Sequence, residues 1–208
     1  MIAAKNTPYP DLVMAHSILR LPRLAERLSH AKDLPIWIRL AFDQFVSVAD
    51  SERTAASIIG TAGEYLSRFL SPNLLTAFMG ETTLPLDLGS RQLIILGMDK
   101  QRRDVVAPLL AIVLHNLILQ NMGRKRKVPL VLVADELQTL TLTALPQWVN
   151  EYRSQGFVPI LGYQNLAQME KIYGPTMTRA IYGACATKFL FNPGEAHSAQ
   201  VFAEQLGE

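Results

Sequence analysis

The pattern of apolar and polar positions along the chain changes near Gly80. Ahead of it, apolar residues recur at helical spacing between prolines. Pro22 and Pro35 each stand just before a mixed apolar and charged segment, where a first-turn proline belongs. The clearest early helix follows Asp50 or Ser51, either of which can cap it. Ala55, Ile58, Ile59, Ala62, Leu66 and Phe69 then form one apolar stripe at offsets of three, four and seven. Gly60 and Gly63 each weaken such a helix by about 1 kcal/mol relative to alanine, which points to close packing against a neighbour. Ser71-Pro72-Asn73 is the stop signal.

After Gly80 short apolar runs alternate with helical stretches. Strands are predicted at Gln92 to Met98, Val128 to Ala134, Phe157 to Gly162 and Thr187 to Phe191. Helices are predicted between and after them: one capped by Asp104, with Val106, Leu109, Leu110, Val113 and Leu117 as its apolar face, and one opened by Thr143 and ended by Gly156. Two more cover Leu166 to Tyr173 and Met177 to Ala184, and a last one runs from about Glu195 to Leu206. Strict alternation predicts a mostly parallel sheet with helices on its faces. Leu130 to Val133 lacks polar alternation, as expected of a strand covered on both sides. The division expected is an all-α domain over 1–80 and an α/β domain over 81–208.

Composition narrows this picture little but excludes several classes. With 208 residues, 49% hydrophobic and 18% charged, the chain is too apolar for disorder and has ample material for a buried core. A net charge of +2 sets up no global field that would by itself identify a nucleic-acid partner. The single cysteine, Cys185, rules out an internal disulfide framework and a multi-cysteine zinc site. A reducing compartment is therefore expected. Val105 to Leu114 is the most apolar run and, at that length, falls short of the roughly 20 residues a bilayer span needs.

The sharpest candidate for chemistry is VPLVLVADELQ, Val128 to Gln138, where a predicted buried strand ends in Asp135 and Glu136. Ligands of open parallel sheets collect at the carboxyl ends of strands. Paired acids there suit a nucleotide site, one carboxylate fixing Mg²⁺ through water and the next polarising an attacking water. The plainer alternative is that Asp135 caps a loop and Glu136 is solvated. Gln164 follows the next strand, where a neutral amide can sense a γ-phosphate, or simply bond its own loop. Arg153 stands between those strands, either as an arginine finger reaching a neighbouring subunit or as a surface residue paired with Glu151 or helix-end carbonyls.

The run Arg124, Lys125, Arg126 and Lys127 can neutralise DNA phosphates, although such runs are more commonly solvated loops. The four histidines show no ligand spacing, and His115 reads as a core histidine. Cys185 reads as a buried thiol. No G-x-x-x-x-G-K-[ST] occurs in the sequence, so the phosphate-cradling loop and its lysine are missing.

Taken together, VLVADELQTL, then Arg153 and Gly156, then ILGYQNLAQMEKIYG with Gln164, Gln168, Tyr173 and Gly174, resemble the type IV secretion coupling proteins, the TraD/TraG-type conjugation ATPases. SERTAASIIGTAGEYLSRFLSP is similar to part of the helical domain those proteins insert between their two Walker motifs. The resemblance implies an incomplete RecA-like P-loop NTPase sheet, its C-terminal portion, joined to an N-terminal all-α domain. It implies an ATP-driven motor delivering single-stranded DNA and relaxase to a secretion channel, with ATP and Mg²⁺ as cofactors. Asp135 would hold Mg²⁺, Glu136 would activate water, Gln164 would sense the γ-phosphate, and Arg153 would act on the adjacent subunit's nucleotide.

The implied partners are a homo-oligomeric hexameric ring, or a companion chain supplying the phosphate loop, and the inner-membrane components of the secretion system. The implied location is cytoplasmic or peripheral at the cytoplasmic face of the inner membrane. With no phosphate loop, the resemblance reads as a truncated or split coupling protein. The competing expectation is a catalytically inactive DNA- or relaxase-binding module, or a passive ring subunit.

Overall fold

A computed structural model describes residues 2–5, 7–192, 194 and 196–207. The chain divides into two compact units, 1–83 and 84–208. In the first, the chain is helical throughout: α1 (Ile2–Lys5), α2 (Leu12–Leu19), α3 (Leu24–His30), α4 (Ile36–Ser47), α5 (Glu52–Ser67) and α6 (Pro72–Phe78). Asp11 caps α2 by accepting from Met14 N–H, and Ser51 caps α5 by accepting from Thr54 N–H. Helices α2 and α5 pack together, as do α3 and α4. Two expectations are corrected here. Ser71-Pro72-Asn73 ends one helix but also starts the next, with Pro72 at its first turn, where a missing N–H costs nothing. Gly60 and Gly63 mark no close approach, since a Cβ on either meets no atom within 4 Å.

The second unit holds α7 (Arg103–Met122), β1 (Leu130–Ala134), α8 (Leu145–Glu151), β2 (Phe157–Leu161), α9 (Leu166–Ala184) and α10 (Ala196–Leu206). Strands β1 and β2 pair in parallel, Leu130 opposite Phe157 through Ala134 opposite Leu161. Helix α7 begins near Asp104 as anticipated, but no side chain caps it; Asp99 instead caps the short 3-10 turn over Lys100–Arg102 by accepting from Gln101 N–H. At 20 residues α7 outruns the apolar stretch seen in the sequence and is long and apolar enough to cross a membrane. Its Leu117, Ile118, Asn121 and Met122 are nevertheless buried in this unit. Gly174, at φ +74°, breaks α9 into the two helical stretches anticipated, with Pro175 opening the second. The last predicted helix appears as α10, and Glu195 lies outside the described residues.

The sheet is smaller than expected. Among the described residues it has two strands, within a mostly helical chain. Residues 92–98 and 187–191 form no strand. Both are apolar, but a strand exists only where its N–H and C=O groups find a ladder partner, and neither segment has one here. Phe189 and Phe191 are each 83% exposed. The expectation of a strand covered on both sides also fails. Leu132 and Phe157 face a core with Trp148, Leu145, Ile118, Met122 and Met169. On the opposite face Val131, Val133, Val158 and Ile160 stay exposed, Val133 at 65%.

Candidate functional site at the carboxyl end of the sheet

Parallel pairing brings the carboxyl ends of β1 and β2 side by side. Gly162 N–H donates to Ala134 C=O at 2.7 Å, and Leu137 N–H donates to Gly162 C=O at 2.9 Å, so the chain leaving β2 is laced to the chain leaving β1. Between those two bonds lie Asp135 and Glu136, in a turn, both exposed. Among the described residues neither carboxylate forms an ion pair. Both acids are exposed at the strand end.

Gly162 is the residue that permits this approach. A Cβ there would stand 2.5 Å from Asp135 O and 3.2 Å from Asp135 C, both backbone atoms. Two residues on, Gln164 is exposed at the same end of the sheet, and its Oε1 accepts from Gln168 Nε2 at 3.2 Å. The amides of the Gln-x-x-x-Gln pair thus meet across one helical turn, while Asn165 caps α9 by accepting from Gln168 N–H at 2.9 Å.

The turn carrying the acids is held from below by Tyr173. Its hydroxyl donates to Leu140 C=O, lies 3.4 Å from Leu137 C=O, and accepts from Leu142 N–H at 3.2 Å. Burial is the main cause that raises the Tyr173 pKa above the ordinary tyrosine value, opposed by the Leu142 hydrogen bond. The Tyr-Gly pair of the sequence thus has a structural role: Tyr173 braces the segment after the acids and Gly174 provides the kink beside it. Next to Gln164, the Tyr163 pKa is pushed up to about 12, first by burial and then by Tyr182 and Cys185. Cys185 is only partly buried, and burial raises its pKa.

Arg153 stands apart from this cluster. It lies on a 3-10 turn before Phe157, at the amino end of β2, a full strand length from Asp135, about 16 Å for five residues. It is exposed and among the described residues makes no ion pair; Glu151 instead takes Gln147 Nε2 at 3.1 Å. Gly156, at φ +97°, closes that turn in the left-handed region that glycine tolerates.

The basic run proves to be two things. Arg126 is half-buried and structural. Its guanidinium donates to Leu88 C=O at 2.7 Å, Asn121 Oδ1 at 3.0 Å and Val128 C=O at 3.2 Å, which removes it from the candidate DNA contacts. Lys125 and Lys127 are exposed, and Arg124 is exposed beside Asp87 at 3.8 Å. The sequence reading missed Asn121, buried in α7, which bonds Leu88 N–H, Leu86 C=O, Leu117 C=O and Arg126. Its only signal was an asparagine two residues before the glycine that ends α7, and Asn116 in the same helix looks no different in sequence.

No cluster of three or more His, Cys, Asp or Glu suited to a metal occurs among the described residues. A Mg²⁺ held by one carboxylate, waters and substrate phosphates needs no such cluster, and the exposed, unpaired Asp135 carboxylate meets that requirement.

Fold and site together define a parallel α/β unit whose strands end in an acidic pair and a neighbouring amide. The chain belongs to the type IV secretion coupling protein family: the family model described as the "Type IV secretion-system coupling protein DNA-binding domain" matches residues 86–208, more than half of the chain. In solved structures the chain is similar in fold to the plasmid coupling protein TrwB. Its complex with a non-hydrolysable ATP analogue aligns with a TM-score of 0.62 and 19% identity, over 88% of this chain and 42% of that one. Its complex with a non-hydrolysable GTP analogue gives 0.59 and 18%, over 84% and 41%. The complex with ADP and Mg²⁺ gives 0.58 and 16%, over 88% and 43%. The chain thus spans about two fifths of the TrwB chain. No curated protein matches it in sequence.

Proposed function

We propose that this chain supplies the water-activating part of an ATP-driven coupling protein that moves single-stranded DNA and its bound relaxase toward a secretion channel. The observation that carries this reading is the juxtaposition of exposed, unpaired Asp135 and Glu136 with Gln164 at one end of a parallel sheet. Asp135 would hold Mg²⁺ through water, and Mg²⁺ when bound neutralises charge on the phosphate oxygens. Glu136, one residue on, takes the proton of a water and orients it, the role of a general base within reach of its nucleophile. Gln164 offers a neutral amide to a phosphate oxygen without adding charge.

Arg153 lies at the far end of its strand, which suits action on a neighbouring subunit's nucleotide rather than its own. A ring of such subunits, hexameric by the family resemblance, provides that neighbour. The helical unit would recruit cargo, and the assembly would work in the cytoplasm or at the cytoplasmic face of the inner membrane, against its secretion components.

The phosphate-binding loop is absent from this sequence, so ATP turnover requires a companion segment bearing G-x-x-x-x-G-K-[ST]. A second reading is an inactive module that binds DNA or relaxase or joins a ring passively. The two are separated by measuring ATP hydrolysis of the chain alone and with a polypeptide carrying that loop. The motor reading expects negligible turnover alone, turnover with the companion, and a loss of about 10²-fold or more on Glu136→Gln. Turnover indifferent to Glu136→Gln, or none with any companion, leaves the passive module.

A further inference from the structure

On β1, Leu130, Leu132 and Ala134 turn to the core that α7, α8 and α9 share, and the alternate positions Val131 and Val133 turn away from it. On β2, Phe157 and Leu161 face the same core, while Val158 and Ile160 turn away. The register sets Val131 opposite Val158 and Val133 opposite Ile160. These side chains therefore form one contiguous apolar patch, each between 42% and 65% exposed, with no charge among them. A contiguous exposed apolar patch marks an interaction site. Parallel strands are found with helices over both faces, and here one face has none.

The size of the patch and the charge at its end select the occupant. Two strands about 4.8 Å apart are covered by one helix about 10 Å wide, and five strand residues, about 16 Å, match about eleven helical residues. Alternation carries the row from Val131 and Val133 on to Asp135, with Glu136 next to it, so the patch ends at two exposed carboxylates. A helix laid with its C-terminus there would set its negative end against them. The opposite polarity sets the positive end beside them, with the free N–H groups of its first turn. A glycine-rich loop leading into such an N-terminus is the anion cradle this chain lacks, since it has no G-x-x-x-x-G-K-[ST].

We propose that this open face is the docking surface for the helix that follows the phosphate loop of the companion segment, laid with its N-terminus at Asp135. This placement rests on the motor reading above and adds where the companion binds. It brings the loop's N–H groups and lysine to the end of the sheet that carries Asp135, Glu136 and Gln164.

The test is fluorescence anisotropy of a labelled polypeptide made of G-x-x-x-x-G-K-[ST] and an amphipathic helix, titrated with the full chain. Val133→Asp and Ile160→Lys each put a charge on the patch at an exposed position outside the core. Each is expected to weaken binding about tenfold or more with an unchanged melting temperature. Ile112→Asp, at an exposed position on α7, is expected to leave binding unchanged. Mg·ATP is expected to tighten binding about fivefold or more for the wild type and to have no effect on Asp135→Asn. No binding, or binding indifferent to both patch variants, overturns the docking face. Binding that the patch variants weaken but Mg·ATP does not tighten overturns the polarity. Self-association of the chain that Val133→Asp abolishes gives the face to a second copy and overturns the proposal. Docking as expected, with turnover unmoved by Glu136→Gln, keeps the docking face and removes the motor reading. Turnover lost in Glu136→Gln but kept in both patch variants does the reverse.

Discussion

Replacing Gly162 by alanine tests whether the two strand ends are packed as tightly as described. The new Cβ would lie 2.5 Å from the carbonyl oxygen of Asp135, 3.2 Å from its carbonyl carbon and 3.4 Å from its Cα. Real Cβ contacts essentially never fall below 3.0 Å, so the strand ends must part by at least half an ångström. All three atoms are backbone, so no side-chain rotation relieves the clash. Parting loosens the two bonds that lace the site, Gly162 N–H to Ala134 and Leu137 N–H to Gly162. Overpacking costs about 1–3 kcal/mol and each of the two weakened bonds about 0.5–1.5 kcal/mol, so a loss of about 2–6 kcal/mol is expected.

The sign is informative, because glycine to alanine where space is free stabilises by about 0.4–1 kcal/mol through the unfolded chain. Gly60→Ala, with open space and a helical position, is the matched control and is expected to stabilise. Urea midpoints read by tryptophan fluorescence measure the Gly162 effect, since Trp37 is exposed in the other unit while Trp148 is buried beside the sheet. Circular dichroism midpoints follow the control. A Gly162→Ala midpoint at or above wild type would refute the close approach.

Asn121→Leu removes four hydrogen bonds, strands Leu86 C=O and Leu88 N–H and takes one of Arg126's partners, for a loss of about 2–4 kcal/mol; an unchanged melting temperature contradicts this. Tyr173→Phe frees the segment after the acids and is expected to cost about 1–3 kcal/mol and to speed proteolysis between Leu137 and Leu142, while equal cleavage rates argue against the brace. The Tyr163 pKa of about 12 exceeds the unfolded value near 10, so above pH 10 the unfolded chain releases its proton first and stability falls until about pH 12. Tyr163→Phe should flatten that limb, and identical pH profiles of the urea midpoint would count against the shift. Lys125→Ala and Lys127→Ala should each lower the salt slope of DNA binding by about 1 without changing stability, whereas Arg126→Ala should destabilise the fold, and a reversed pattern rejects the division of the basic run.

The helices were legible wherever an apolar stripe met a cap. Ser51 with Ala55 to Leu66 is α5, and Asn165 opens α9 up to a kink that Gly174 and Pro175 announce. Strand β1 and its acids were legible for a different reason: Leu130 to Val133 is an unbroken run of β-branched or leucine positions, and Ala134 leads from it straight into Asp135 and Glu136. Residues 92–98 and 187–191 read as strands and are not, because apolar character records a wish for burial while a ladder needs a partner elsewhere in the chain. The same separation of local and non-local information hid Gly162 and Asn121. What makes each of them matter is a contact 27 residues away in one case and 33 or more in the other, and no spacing rule reports that. The basic run misled in the opposite sense, since its four members look alike until Arg126 finds Leu88 and Asn121.

The two ends of β2 carry different demands. At its carboxyl end, Gly162, Leu137 and Tyr173 hold the acidic turn with backbone-directed bonds, which fix where Asp135 and Glu136 stand while leaving their carboxylates open. At its amino end, Arg126 bonds Gln155 and Val128 and packs against Gly156, which fixes the turn that displays Arg153. A side chain as long as arginine reaches roughly 7 Å, less than half the strand length of about 16 Å that separates the ends. A strand length thus separates Arg153 from Glu136 of the same chain, which favours their acting on different nucleotides. If both serve the same reaction, each must meet the other's counterpart across an interface between copies, so an Arg153→Ala subunit mixed with a Glu136→Gln subunit should restore interfaces in which both residues are intact. With the polypeptide that carries the phosphate loop present throughout, activity recovered in the mixture, where each variant alone has none, is the outcome expected.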